Sequence, residues 1–269
     1  MIFLNGKLLA AGAANVSPFG DGFQFGAGVF TTIRVSAGRA EFLGEHFERL
    51  SGDARAIGLA AGTTEVQWRE RCAACIAANR IEEGGLKAIW FADGEGRTSE
   101  IISQRPHSYR ADTYARGFRL TARNCAGRAT RDLARHKTLN CLEHVQAKRA
   151  ALAAGFDEAV WIDERGVALE GATTNIFAVV RGEAITTVET AGLLPGIARR
   201  VVLGLASVPA MRVGELTREM IAEADEVFVT NALMGVMPVC ALDGRSYDVG
   251  NNPITRAIAA AFFEQAKTR

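Results

Sequence analysis

The sequence has no excess of charge of either sign: 31 Lys and Arg stand against 30 Asp and Glu, a formal net charge of +1. That balance leaves no global basic field of the kind that draws nucleic acid or anionic membrane. No nucleic-acid partner is therefore expected, and an anionic ligand must be held by local donors. Cysteine is sparse and odd in number, scattered at Cys72, Cys75, Cys125, Cys141 and Cys240, which speaks against a disulfide framework and agrees with a reducing cytoplasm. No apolar run nears the ~18 residues of a membrane helix. The opening MIFLNGKLLAAG is too short and too broken by glycine for a signal peptide, so a cytoplasmic location without a membrane partner is expected. Cys72-Ala-Ala-Cys75 has no second ligand pair, and His46, His107, His136 and His144 form no HxxxH or HxH set, so no metal is expected. Neither Ser17 nor Ser51 lies in a GxSxG elbow. Gly20, Gly22, Gly26 and Gly28 precede a strand instead of joining a strand to a helix, which argues against a dinucleotide fingerprint. What the chain does have is length and apolar content, 269 residues of which 48% are hydrophobic, enough for one large domain or two ordinary ones. Its 28 glycines point to tight turns and close backbone approaches.

Asn5-Gly6 between Ile2–Leu4 and Lys7–Leu9 predicts an opening β-hairpin. The glycine-rich stretch FGDGFQFGAGVF then feeds a β-branched strand over residues 31–35. Leu43, Phe47, Leu50, Ala54 and Ile57 recur at three- and four-residue spacing, an amphipathic helix. A second helix is expected over 65–79, where Cys72 and Cys75 read as two small side chains on a core face. Strands follow at 87–91 and 100–103 around a Gly94/Gly96 turn. The pattern stops at Arg105-Pro106, and the polar HSYRADTYARG is placed as a linker. Beyond it come a strand from Phe118, a helix over 139–153, strands at 158–162, 167–169 and 176–180, a helix after Pro195-Gly196, strands at 226–230 and 238–242, and a terminal helix from Pro253. No repeat or low-complexity tract interrupts this α/β alternation.

Lys137 stands between a loop and the start of a helix, where its amine can project into a cleft. Glu170 follows a short strand and precedes Thr173, Thr174 and Asn175. A lysine in a polar pocket can serve as Schiff-base partner and proton shuttle. A carboxylate beside a pyridine nitrogen keeps that ring protonated and electron-withdrawing. Taken singly, the two residues also fit a surface lysine and a turn glutamate.

Four segments in order resemble the fold-type IV pyridoxal-phosphate enzymes, the class IV aminotransferase family: FQFGAGVFTTIRV with EHFERL; HKTLNCLEHVQAKRAALAAGFDEAVWID; ALEGATTNIFAV with LLPGIARRVV; and ADEVFVTNALMGVMPV. Together they cover nearly the whole chain. The family holds branched-chain aminotransferases, D-amino acid aminotransferases and aminodeoxychorismate lyases. The resemblance implies an α/β (α+β) fold of the D-amino acid aminotransferase type, with an N-terminal α/β domain over 1–105, a linker over 106–116 and a C-terminal cofactor-binding domain over 117–269. It implies pyridoxal 5'-phosphate between the domains, a small-molecule amino substrate and a homodimer. By matching motif, Lys137 is the Schiff-base lysine and Glu170 the partner of the pyridine nitrogen. Arg49 falls at the phosphate-binding arginine, Ile197 and Ala198 at the amides that cradle the phosphate, and Thr230 and Asn231 at a second phosphate loop. Thr173 and Thr174 fall on the pocket wall.

The segments FTTIRV and TNALMGVMPV resemble the 4-amino-4-deoxychorismate lyases, where branched-chain aminotransferases more often carry an acidic residue and a glycine after the phenylalanine. In that reading Thr32 orients substrate or assists protonation of the leaving group, and Arg34 and Arg97 are candidates for substrate carboxylates. Arg34 could equally hold a neighbouring acidic side chain. An aminotransferase on the same scaffold is the alternative, and a noncatalytic relative serving as a binding module the third. Two departures concern substrate choice: Ala27 stands where most members have Asp, and GEGRTSEIISQRP is shorter than the corresponding segment of many relatives.

Overall fold

Asn5 and Gly6 take positive φ angles of 51° and 77°, and the tight turn they make pairs Ile2–Leu4 antiparallel with Lys7–Leu9. The computed structural model describes residues 1–94, 96–107, 109–127, 132–206 and 211–268, and the chain forms two compact units. The first holds Met1–Ser108 and His136–Cys141, and the second Tyr109–Arg135 and Leu142–Thr268. The division thus differs from the linker expected over 106–116: Ala111–Arg116 is a helix of the second unit, and the segment carrying Lys137 belongs to the first.

In the first unit an antiparallel sheet runs in the order Lys7–Leu9, Ile2–Leu4, Thr98–Arg105, Gly84–Ala92, Gly28–Ser36, Arg39–Ala40. Side chains alternate across a strand. Val29, Ile33 and Val35 join Leu86, Ala88, Trp90 and Ile102 in a core with Leu50 and Ala54 of the helix Leu43–Ala56 and Trp68, Cys72 and Cys75 of the helix Glu65–Asn79. Both of these cysteines are fully buried, and burial pushes their thiols up from the ordinary range. Thr64 begins its helix with a capping box completed by Gln67.

In the second unit a mixed sheet runs Met211–Gly214, Glu183–Thr187, Asn175–Val180, Glu226–Asn231, Gly235–Leu242, Phe118–Asn124, Glu158–Ile162, Ala168–Gly171, with Arg245–Ser246 beside Gly235–Leu242. Phe118–Asn124 and Glu158–Ile162 are parallel, which requires a crossover. The helix Leu142–Ala153 lies in that crossover and buries Ala147 and Ala151 against Ala159 and Trp161. This helix begins at Leu142, not Leu139, because the backbone before it is committed elsewhere: the Leu139 N–H donates to Gly28 O at 2.8 Å. Glu170 lies inside the strand Ala168–Gly171, not after it, and the strands Glu183–Thr187 and Met211–Gly214 add to those expected. Among the described residues no helix is long and apolar enough to cross a membrane.

Candidate active site

Within the first unit the backbone of Lys137 is held on both sides. Its N–H donates to Asp53 Oδ2 at 3.1 Å and its carbonyl accepts from Phe30 N–H at 2.9 Å. Thr138 forms a bridge with Val29, and Asn140 Nδ2 donates to Gly26 O at 3.1 Å. This close approach accounts for two of the loop glycines. A Cβ on Gly26 would lie 2.8 Å from Asn140 Oδ1, and one on Gly28 would lie 2.7 Å from Leu139 Cδ1. The Lys137 ammonium sits 4.6 Å from the centroid of the Phe30 ring, within cation–π range.

Phe30 lies on the sheet face opposite the helices, and alternation puts Thr32 and Arg34 on that same face. Lys87 stands directly across from Thr32, with its own ammonium 4.5 Å from the Phe30 centroid. Burial, with the Arg105 charge, lowers the Lys87 pKa from its ordinary value. Sequence reading missed Lys87, although a lysine inside the apolar alternation of LKAIWFA was the available signal. Arg34 pairs with buried Glu41, Nε to Oε1 3.5 Å. Burial raises the Glu41 carboxyl above the usual range and Arg34 opposes that rise. Of the two uses considered for Arg34, the structure displays the acidic neighbour. Arg97 is exposed at the turn between Gly84–Ala92 and Thr98–Arg105, its N–H donating to Gly94 O at 3.1 Å. Ala27, in place of the more usual Asp, gives its carbonyl to Ala92 N–H at 2.9 Å.

On the helix-facing side, fully buried Thr31 links two further groups. Arg49 Nη2 donates to Thr31 Oγ1 at 3.0 Å, and the same oxygen is 2.6 Å from His46 Nδ1. A hydroxyl has one proton and two lone pairs, so in either imidazole tautomer Thr31 ties ring and guanidinium together. Arg49 was singled out from its motif; Thr31 and His46 were not, because pairing across 15 and 18 residues depends on the strand lying against the helix.

Within the second unit Glu170 is buried, and its Oε2 accepts Leu194 N–H at 3.0 Å. The following turn is tight: a Cβ on Gly171 would come within 2.1 Å of Thr174 Oγ1. Fully buried Glu158 holds Thr173, accepting its N–H at 3.2 Å and its hydroxyl, with Lys148 Nζ at 3.5 Å from the same carboxylate. Asn175 Nδ2 donates to Leu194 O at 2.9 Å, and a Cβ on Gly196 would lie 2.1 Å from Asn175 Oδ1. Ile197 and Ala198 are the first two residues of the helix Ile197–Leu203, both buried. Thr230 pairs with Asn175 across adjacent strands, and Asn231 Oδ1 accepts the N–H groups of Leu233 and Met234 at 3.0 and 2.9 Å. Among the described residues the buried hydroxyl oxygens of Thr174 and Thr230 make no hydrogen bond.

The first unit thus gathers Lys137, Thr32, Arg34 and Arg49 around one sheet, and the second gathers Glu170, Thr173, Thr174, Ile197, Ala198, Thr230 and Asn231 around the ends of its strands. The family model for class IV amino-transferases matches residues 28–242. A D-alanine aminotransferase of Bacillus licheniformis is 28% identical, with 97% of this chain and 95% of that protein covered. A Methanocaldococcus jannaschii protein provisionally named a branched-chain-amino-acid aminotransferase is 30% identical, covering 91% and 88%. Among solved structures, a Legionella pneumophila protein provisionally named 4-amino-4-deoxychorismate lyase superposes with a TM-score of 0.87 at 27% identity, over 94% of this chain and 96% of that one. Both the extent of the family match and the likeness along nearly the full length lead to one assignment: the chain belongs to the class IV aminotransferase family of pyridoxal-phosphate-dependent enzymes.

Proposed function

We propose that the protein is a pyridoxal-phosphate-dependent lyase that converts 4-amino-4-deoxychorismate to 4-aminobenzoate and pyruvate, a step of folate biosynthesis. The residues present fit the cofactor. Thr174 and Thr230 carry buried hydroxyls with no hydrogen bond among the described residues, polar groups that a bound cofactor would satisfy. Bound pyridoxal phosphate supplies an electron sink for bonds broken at the amine-bearing carbon. Lys137 is assigned to its carbonyl carbon and Glu170 to its ring nitrogen. The phosphate is assigned to Arg49, whose guanidinium fork suits phosphate oxygens, and to the amides of Ile197 and Ala198 with Thr230 and Asn231. Thr173 and Thr174 line the ring.

The lyase reaction moves two protons in opposite senses. Lys137 takes one from the amine-bearing carbon, and the departing enolpyruvyl group must gain one to leave as pyruvate. The observation that carries the reading is a second set of proton-bearing groups on Lys137's side of the sheet: Thr32 and Lys87 are directly paired, and Lys87 shares the Phe30 ring with Lys137. A lowered Lys87 pKa makes that amine a better acid than an ordinary lysine. Amino transfer, by contrast, can be run by Lys137 alone. The aminotransferase reading is favoured by the names of the similar proteins, and it is the alternative.

One assay separates them. Incubated with 4-amino-4-deoxychorismate and no keto acid, the holoenzyme is expected to release pyruvate and 4-aminobenzoate in equal amounts. No pyruvate, together with keto-acid-dependent transfer from D-alanine or a branched-chain amino acid, overturns the lyase reading. A homodimer is part of the proposal, supported by Phe19, Phe23 and Phe25, which are 81%, 68% and 68% exposed on one short segment. Sedimentation velocity is expected to give a dimer, and a monomer at assay concentration argues against it.

A further inference from the structure

The helix Leu43–Ala56 presents His46, Arg49 and Asp53 at spacings of three and four, one face of the helix. The first two meet Thr31. Asp53 does something different. Its Oδ2 accepts the backbone N–H of Lys137 at 3.1 Å, and its Oδ1 is 2.9 Å from His136 Nδ1. Asp53 is buried, and it lies in the last turn of its helix, the end where the helix dipole disfavours a carboxylate. Helix stability therefore gives no reason for an acid at this position. The residues it meets do.

From this geometry we infer that Asp53 is the positioning residue that sets the place of Lys137, by clamping its backbone against the helix that carries Arg49. The inference rests on the reading of Lys137 as the lysine that bonds the cofactor. Lys137 has two backbone polar groups, and both are committed: the N–H to Asp53 on the helix, the carbonyl to Phe30 N–H on the strand. With Thr138 bridged to Val29 the segment cannot slide along the strand, and only the side-chain torsions of Lys137 remain to carry its amine. His136, bound to the other carboxylate oxygen, fixes the plane of the Asp53 carboxylate, so the clamp is braced on two sides. Arg49 and Asp53 are one turn apart on a single helix. The phosphate-binding charge and the anchor of the reactive amine are thereby held at a set separation by 3.6-residue geometry, not by a loop.

The test uses apo-protein with added pyridoxal phosphate. Three quantities are read: total cofactor uptake by dialysis, the rate at which the lysine-bound visible absorbance appears, and the peptide labelled after borohydride reduction. Asp53→Ala is expected to keep cofactor uptake and to slow the appearance of the lysine-bound band by about tenfold or more, since displacing a reacting group by about 1 Å costs that much. Asp53→Asn keeps an oxygen that can accept the Lys137 N–H, and is expected to restore the rate to within about threefold of wild type. Asp53→Ala reacting at the wild-type rate, or Asp53→Asn reacting as slowly as Asp53→Ala, overturns the inference. If Asp53→Ala lacks a cooperative thermal transition, Asp53→Glu takes its place, because it keeps the charge while moving the oxygens by one methylene, and the same slowing is expected. Wild-type protein that labels at no lysine or at another one defeats the reading of Lys137 instead. Amide hydrogen exchange at Lys137 then still decides whether Asp53 clamps its backbone: faster exchange in Asp53→Ala supports the clamp, and unchanged exchange overturns it.

Discussion

Thr31→Val replaces a fully buried hydroxyl by a methyl of nearly the same shape, and its cost follows from what that oxygen holds. It accepts from the Arg49 guanidinium at 3.0 Å and lies 2.6 Å from His46 Nδ1. A hydrogen bond to a charged group contributes about 1.5–3 kcal/mol and one between neutral groups about 1 kcal/mol. The added methyl recovers about 1 kcal/mol of apolar burial. The net expected loss is about 1.5–3 kcal/mol, which for a chain of this size lowers Tm by roughly 3–12 °C. Thr31→Ser keeps the hydroxyl and loses only the methyl, for about 1 kcal/mol. Scanning calorimetry on the two variants separates the hydroxyl from the methyl. A second arm measures cofactor affinity of the apo-protein by fluorescence quenching, and Thr31→Val is expected to bind more weakly because Arg49 loses the acceptor that orients it. Thr31→Val as stable as wild type, with Thr31→Ser the less stable of the pair, would refute the role given to this oxygen.

Two other substitutions test the remaining geometry. Arg34→Met is expected to cost about 3 kcal/mol at pH 7, where it leaves the buried Glu41 carboxylate without that guanidinium. The Glu41 pKa is raised in the folded protein, so its neutral form suits the fold: the penalty should shrink as pH falls toward 4.5 and Glu41 takes up a proton, and a penalty equal at both pH values in urea titrations contradicts the pairing. Gly196→Ala places a Cβ 2.1 Å from Asn175 Oδ1 and must displace the start of the helix Ile197–Leu203. We expect a stability loss of about 1–3 kcal/mol and weaker cofactor uptake by the apo-protein, and unchanged uptake removes the phosphate role from Ile197 and Ala198.

Much of the fold was legible because it repeats locally. The helices Leu43–Ala56 and Glu65–Asn79 announce themselves by apolar residues at three- and four-residue spacing, and the opening hairpin by Asn5-Gly6. The short strand Met211–Gly214 was missed because it has few buried side chains and gains its place by parallel pairing with Glu183–Thr187. The helix boundary at Leu142 was missed for another reason. Thr138–Cys141 carries a helix-compatible pattern, but its backbone is drawn onto the strand Gly28–Ser36, a partner more than a hundred residues earlier.

The candidate site divides in the same way. Lys137, Glu170 and Arg49 could be named as candidates from motif order, since chemistry restricts the residue types suited to bond a carbonyl carbon, face a pyridine nitrogen or grip a phosphate. Their supports could not. Asp53 and His136 meet across 83 residues, Thr31 and His46 across a strand–helix contact, and Glu158 and Thr173 across a strand and a turn. Lys87 reached the face of Phe30 only through the register of two antiparallel strands. The sequence by itself determined the composition, the local periodicities and the family, because these depend on residue type and near-neighbour spacing. Tertiary structure alone decided which compact unit receives Lys137 and which carboxylate holds its backbone. Hydrogen bonds between residues distant in the chain are set by which elements pack together, and no short-range pattern encodes that choice.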